Sequence, residues 1–260
     1  MKKAFILALA VVSVSAFVGC DDKTERRYKI HKDVPDLLFR ELGKKDDGNA
    51  SVTELVIVNS ETKKAINKIN LLDYTLQGDP PAGDTLDIEL IDVNFDGYKD
   101  IRIFDCYNGN WNKHYLYFVW DKSKNEYVPD TTGLRELGLP AFDEEKQLVS
   151  SMQRGSATDH EYYTHKYIKG VLTVIEEKSE NAVWFKEGVT DKQLAAIVPA
   201  LSQYPSYTFM YHTVKKLNQN TSKMETVEAK YQLYIPNEWK LIGEYDANSN
   251  IGKKLEKLKG

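Results

Sequence analysis

The chain has 260 residues, with 35 Lys and Arg against 39 Asp and Glu, and only two cysteines. A formal net charge of -4 gives no electrostatic reason to bind nucleic acid, and two cysteines cannot build a disulfide framework or a four-thiolate metal site. Hydrophobic residues make up 42% of the chain, which is enough to form a folded core.

Residues 1–19 predict a signal peptide, because two lysines precede an apolar run that is too short for a permanent membrane span. The run ends in Ala16-Phe17-Val18-Gly19-Cys20. This ending resembles the lipobox of bacterial lipoproteins, which implies that Cys20 is acylated, with palmitate as the expected chain, and anchors the protein in the lipid bilayer. A plain secreted protein is the alternative.

Loss of residues 1–19 removes two lysines and takes the formal charge from -4 to -6. The product is expected to face the periplasm at the bacterial cell envelope. Asp21 follows the cysteine, and in the lipoproteins that this ending resembles, an Asp at that place implies retention in the inner membrane.

Residues 20–48 are predicted to hold the lipidated cysteine, a charged tether and a short helix. Asp33 can cap that helix and Pro35 fits its first turn. The apolar residues at helical spacing before Gly43 are Leu37, Leu38 and Leu42.

Residues 49–246 are predicted to form a single β-rich domain. Alternating apolar residues predict strands around 52–58, 65–72, 86–91, 101–104, 115–120, 127–128, 148–152, 161–168, 171–176, 207–216, 225–234 and 239–242. One helix is expected after the capping box Thr190-Asp191-Lys192-Gln193 and is expected to continue to Leu201. The fold class is therefore mainly β, antiparallel and propeller-like or sandwich-like, with one or two short helices, and residues 247–260 are a polar C-terminal tail.

The segment from Asp92 to Asp100 carries the clearest chemistry, because calcium takes six to eight oxygen ligands and an acidic loop can supply them. Gly97 allows a sharp turn, and an EF-hand is excluded because its twelfth position would be Ile103 rather than Glu. The predicted ligands are the side chains of Asp92, Asn94, Asp96 and Asp100 and the backbone carbonyl of Tyr98.

This D-x-N-x-D-G-x-x-D loop resembles the calcium loops of FG-GAP and VCBS repeat proteins. With the aromatic strand Tyr115 to Asp121 that follows, the chain also resembles bacterial XAC-type lipoproteins, which are similar to secretion-system immunity proteins and lysozyme inhibitors. The resemblance covers about residues 50 to 178. It implies a periplasmic immunity protein that binds a secreted peptidoglycan hydrolase or toxin.

The ion is expected to be structural rather than catalytic, because protein oxygens saturate such a loop. A calcium-stabilised envelope module that binds glycan or an envelope complex remains the alternative function. An enzyme is the least favoured class, since the chain has no G-x-S-x-G, H-E-x-x-H or P-loop motif.

Four residues are candidates for partner contact, because aromatic side chains dominate binding hot spots. Trp111 lies in an Asn- and Gly-rich turn, where exposure and core packing are equally open. The other candidates share one face of a predicted strand and are Tyr163, His165 and Tyr167. The thiol of Cys106 is expected to be buried, with His114 as a neighbour if it were a nucleophile.

Overall fold

The computed structural model describes residues 25–46, 49–75 and 85–260. The predicted signal peptide, Cys20 and Asp21 lie outside the described residues. Within those residues no helix is long and apolar enough to cross a membrane.

Three antiparallel sheets form the molecule, and in each sheet every strand pairs with its neighbour along the chain. The first sheet contains β1 (Glu25–Tyr28), β2 (Leu37–Asp46), β3 (Asn49–Asn59) and β4 (Ala65–Asn70). The second contains β5 (Ile88–Ile91), β6 (Asp100–Tyr107), β7 (Lys113–Asp121) and β8 (Glu126–Pro129).

The third sheet contains β9 (Ala141–Asp143), β10 (Leu148–Arg154), β11 (His160–Ile168), β12 (Val171–Ala182), β13 (Thr208–Asn218), β14 (Lys223–Ile235) and β15 (Lys240–Asp246). Two helices accompany it, α1 (Asp191–Ile197) and α2 (Asn250–Leu258). Short 3-10 turns occur at Leu71–Asp73, Leu134–Glu136 and Pro199–Gln203.

The second sheet is the middle layer of a sandwich-like arrangement, because its strands bury apolar side chains on both faces. On β7, Leu116 and Phe118 join the core shared with the first sheet, together with Phe39. The alternate residue Tyr117 points to the other side and packs with Val149 of the third sheet. Alternate side chains of β7 therefore contact the first sheet on one face and the third sheet on the other. The prediction of a mainly β fold is confirmed.

A third core lies at the other end of the third sheet, where the two helices cover its strands. Phe209 and Leu233 come from the strands, and Leu194 and Leu255 come from α1 and α2. The capping box at Thr190 is present as predicted. However, the α-helix ends at Ile197 instead of reaching Leu201, because Pro199 cannot continue its hydrogen bonding and a 3-10 turn follows.

The predicted helix near Leu37 is wrong, because this segment is strand β2 and pairs with both β1 and β3. The run from Leu37 to Phe39 is buried on both faces, so its spacing does not distinguish helix from strand. Gly43 does not end a helix. A Cβ there would lie 2.2 Å from the carbonyl oxygen of Ser51, and the register shifts at this point.

Two predicted boundaries are also wrong. Part of the expected tether is β1, which is fixed by the register Glu25 to Arg40 and by an ion pair between Arg26 and the buried Glu41. The expected polar tail contains α2, capped by Ser249, because Leu255 lies within an apolar stripe that the many lysines obscure.

Candidate functional site

The acidic loop joins β5 to β6 and turns sharply between two strands. Phe95 has a φ of 63° and Gly97 a φ of 90°, so both lie in the left-handed region. Glycine adopts that region without strain, whereas an aromatic residue does so only when its surroundings hold it. Phe95 is held by packing, since its ring lies 6.3 Å from that of Tyr167.

The carboxylates of the loop bind its own backbone. Asp92 accepts hydrogen bonds from the amides of Asp96, at 3.0 Å, and Gly97, at 2.8 Å. Asp96 accepts one from the amide of Tyr98 at 2.9 Å, and the side-chain oxygen of Asn94 accepts one from the amide of Asp96 at 3.0 Å. These side-chain oxygens accept hydrogen bonds from loop amides that would otherwise be paired within a helix or a sheet.

Asp100 is fully buried at the start of β6. Its two oxygens accept hydrogen bonds from the amides of Val93, at 2.9 Å, and Trp120, at 2.8 Å. The pKa of Asp100 is raised to about 7, mainly by burial, and the charges of Asp96 and Asp92 act in the same direction against the hydrogen bonds from Trp120 and Val93, which lower it. The pKa of Asp92 is also raised by burial. Burial thus disfavours the charged form of Asp92 and Asp100, and the Asp96 carboxylate lies in the same loop.

No basic side chain among the described residues forms an ion pair with these three carboxylates. The nearby Lys99 binds Glu144 at 2.7 Å instead, and Lys122 lies over the ring of Tyr98 at 5.5 Å. The region therefore has a local excess of negative charge.

The donor chemistry of the loop fits a hard cation, because Asp and Asn oxygens are the ligands that calcium prefers and each carboxylate oxygen has two lone pairs. The positions of these oxygens do not fit a bound ion, because they do not converge on one point. In the described part of the chain no three His, Cys, Asp or Glu side chains are arranged to hold a metal ion. Coordination would need the loop oxygens to move towards one point.

The loop between β6 and β7 lies at the opposite end of β6 from the acidic loop. Asn108 closes it, since its side-chain oxygen accepts hydrogen bonds from the amides of Asn110 and Asn112, each at 3.0 Å. The side chain of Trp111 is 73% exposed although its φ is 61°. Its ring lies 5.5 Å from that of Tyr107, measured between centroids. The sequence left the position of Trp111 open, and the structure places it in solvent.

A polar cleft of about 330 Å³ lies beside this loop. Asn112 ties the loop to the third sheet, because its side chain accepts a hydrogen bond from the amide of Arg154 at 3.1 Å. Side-chain amides from three separate segments line the cleft, namely Asn108, Gln153 and Asn181. No sequence motif joins residues so far apart, so only the tertiary fold reveals this cleft.

The predicted solvated face of β11 is wrong for His165, whereas the other two candidates on this face are half-buried. His165 is buried and its Nδ1 lies 3.2 Å from the carbonyl oxygen of Val149, while burial lowers its pKa. Tyr167 packs against Phe95, and burial raises its pKa to about 12. This face is covered by the second sheet. Tyr163 is half-buried, and its hydroxyl donates to Glu161 at 2.7 Å.

Cys106 lies directly opposite His114 in the β6–β7 register. The thiol is half-buried rather than fully buried, and burial together with the charge of Asp105 raises its pKa. A raised pKa reduces the thiolate that a nucleophile needs. This environment therefore does not activate the cysteine.

No protein-family model matches the chain, and no curated protein sequence does. The resemblance to FG-GAP and XAC-type proteins therefore stays a prediction. A solved structure described as a Xanthomonas type IV secretion system related protein is similar to this chain, with a TM-score of 0.47 and 13% sequence identity. The match covers 82% of this chain and 97% of that one.

Proposed function

We propose that the protein is a periplasm-facing lipoprotein with a structural calcium site, which acts as an immunity or inhibitor protein against a peptidoglycan hydrolase. Its function is binding rather than catalysis. The observation that carries this proposal is the loop from Tyr107 to Asn112, which presents Trp111 to solvent on a closed and hydrogen-bonded turn.

A rigid loop suits an inhibitor, because a preorganised contact loses little conformational entropy on binding. The turn is closed by the amide of Asn108, which donates to the carbonyl of Asn112 at 3.0 Å, and by the amide of Trp111, which donates to the carbonyl of Asn108 at 2.9 Å. Trp is among the residues most enriched in binding hot spots. Trp111 would therefore enter the partner's cleft as an anchor.

The calcium ion would support this loop from a distance. β6 has eight residues, from Asp100 to Tyr107, which corresponds to roughly 23 Å between its two ends. An ion bound only by the folded state would stabilise the start of β6, and with it the strand that carries Tyr107. Its ligands would be Asp92, Asn94, Asp96 and Asp100 with the carbonyl of Tyr98.

The lipid on Cys20 would hold the molecule close to the membrane. Only four residues separate Cys20 from Glu25, where β1 begins, so the connection reaches at most roughly 18 Å. Asp21 supports placement at the inner membrane. Replacement Cys20→Ser should move the protein from the membrane fraction to the soluble periplasm, and unchanged membrane fractionation would contradict the anchor.

The inhibitor proposal is tested with the full chain in mild detergent, immobilised and exposed to a periplasmic extract from the producing bacterium. We expect one stoichiometric hydrolase, whose cleavage of purified peptidoglycan stops when the full chain is added. Trp111→Ala should weaken inhibition by about 30-fold, as for a hot-spot residue. The matched control is Trp184→Ala, because Trp184 is equally exposed, at 78%, on another part of the molecule.

Recovery of peptidoglycan alone would overturn the inhibitor proposal. It would favour the second candidate, a calcium-stabilised envelope module that binds glycan. That candidate rests on the cleft beside Trp111, since Asn108, Gln153 and Asn181 offer amide donors and acceptors that match sugar hydroxyls. Soluble peptidoglycan fragments should then bind the full chain directly, and Gln153→Ala should weaken that binding.

A further inference from the structure

A second concave surface lies on the third sheet, on the face that neither the second sheet nor the helices cover. Side chains alternate between the two faces of a strand. On β11 and β12, Glu161 and Asn181 therefore line the polar cleft, whereas the adjacent His160 and Glu180 line a groove on the opposite face. The groove is independent of Trp111 and of the acidic loop.

Aromatic side chains form both walls of this groove. Tyr162 is 37% exposed on one side. On the other side Trp239 is 54% exposed, and its ring lies 5.9 Å from that of Tyr234. Trp239 has a φ of 47°, so the β14–β15 turn holds it in a left-handed conformation that favours glycine. An exposed aromatic residue in that conformation contributes nothing evident to the core.

The floor of the groove is apolar at one point and polar at another. Met210 and Gln232 are both buried there. The amide of Gln232 is already engaged, since its nitrogen donates to Glu244 at 2.7 Å and its oxygen accepts from Tyr234 at 3.2 Å. The floor therefore offers a thioether and a fixed amide to whatever enters.

One carboxylate in the groove has no strong cation beside it. Glu180 forms no ion pair with Lys or Arg in the described part of the chain, and its ion-pair contact is His212 Nδ1 at 3.7 Å. Two lysines near Glu180 are already paired, Lys178 with Glu176 and Lys230 with Glu228 and Glu244. Burial is the main cause of the raised pKa values of Tyr162 and Tyr234. The charge of Glu180 raises both further, against Arg154 at Tyr162 and Lys230 at Tyr234, so Glu180 lies close enough to act on both walls.

We propose that this groove binds an arginine side chain from a basic segment of a partner protein. The guanidinium would lie between the aromatic walls and pair with Glu180, while its methylene stem would cover Met210. Aromatic faces attract cations, and the planar guanidinium also stacks on them. The residues that define this arginine groove are Tyr162, Glu180, Met210, Gln232, Tyr234 and Trp239.

Size and charge favour this occupant. The groove holds about 290 Å³, which is at the lower end of ligand pockets and suits one side chain better than a cofactor. Glu180 is the one Asp, Glu, Lys or Arg among the described residues that line the groove, so the lining disfavours phosphates and carboxylates. A neutral sugar would use the aromatic walls but would leave Glu180 without a counter-charge.

The test uses the four tryptophans of the full chain, each giving one indole resonance after selective nitrogen-15 labelling. Triarginine with blocked ends should shift the Trp239 resonance and leave those of Trp111 and Trp184 in place. Blocked tricitrulline keeps the shape without the charge and should not shift Trp239. Glu180→Gln should weaken triarginine binding about tenfold.

The matched control is Glu176→Gln, which removes the same charge from the same face outside the groove, where Lys178 and Lys216 already pair with it. It should change the binding of triarginine less than twofold. Equal weakening by Glu180→Gln and Glu176→Gln would overturn the proposal, because it would show attraction to net charge alone. So would a shift of Trp239 by soluble peptidoglycan fragments without one by triarginine, or equally tight binding of trilysine.

Discussion

The two loops at the ends of β6 each contain an aromatic residue in the left-handed region, with nearly equal φ values, 63° for Phe95 and 61° for Trp111. Their surroundings differ. Phe95 packs with the core between the second and third sheets, whereas Trp111 is exposed. A strained backbone that is held by core packing serves the fold. The same strain around a solvent-exposed aromatic side chain has no such role, and this contrast directs attention to Trp111 as a binding residue.

The loops also differ in what closes them. Buried carboxylates close the first loop, and the charge of Asp100 has no basic partner among the described residues. Neutral Asn108 closes the second. The contribution of the first loop to stability should therefore depend on pH and on cations, and that of the second loop should not.

Replacement Asp100→Ala should have the largest effect on stability. It leaves the buried amides of Val93 and Trp120 without acceptors, which should lower the free energy of unfolding by roughly 2–6 kcal/mol. Urea unfolding followed by circular dichroism measures it. Asn108→Ala is the matched control in the exposed loop and should lower the free energy of unfolding by less. Equal decreases for the two variants would show that the two loops do not differ in their contribution to stability.

Stability without added metal should fall as pH rises from about 4 to 7. Burial raises the pKa of Asp100 from 3.8 in the unfolded chain to about 7 in the fold, so below this window both states hold the proton. Within the window only the folded state retains it, and up to about 4 kcal/mol is lost as pH rises through the folded pKa.

The pH effect is measured by urea unfolding in EDTA at pH 4.5 and 7.5. Asp100→Asn cannot titrate, so the difference between the native chain and this variant isolates the contribution of Asp100. An identical pH dependence in both proteins would show that Asp100 does not titrate in this range.

Calcium should raise the melting temperature, because it would bind the folded loop and balance its carboxylates. At a hundredfold excess over Kd the gain is about 2.7 kcal/mol, or about 5–10 °C. Asp96→Ala should abolish the rise, whereas Asp121→Ala, in an exposed turn at the end of β7, should keep it. No change on adding EDTA and calcium in turn would argue against the metal site.

The smallest effect on stability is expected for Trp111→Ala, within about 0.5 kcal/mol, because its side chain is in solvent. Phe95→Ala should cost about 2 kcal/mol through lost packing with Tyr167. Thermal unfolding of the two variants compares them directly. If Trp111→Ala proves as costly as Phe95→Ala, Trp111 stabilises the fold and its role in binding loses its support.

Much of the strand pattern was predictable, because alternation along a segment such as Leu86 to Ile91 places apolar side chains on one face of the strand and polar side chains on the other. The strand from Leu37 to Phe39 was not predictable, because both of its faces are buried. The helix at Leu255 was not predictable either, because its apolar stripe is short. Their structure depends on neighbours that are distant in sequence.

Local sequence predicts the mainly β class, the capping box at Thr190 and the acidic loop after β5, which the structure contains, and it also predicts the signal peptide that ends before Cys20. Each depends on residues only a few positions apart, where local sterics and hydrogen bonding act. Tertiary structure alone decided that His165 is buried, that Trp111 is exposed and that Glu180 lies between Tyr162 and Trp239. Those outcomes depend on which sheet covers which face, and such packing joins residues that no local pattern connects.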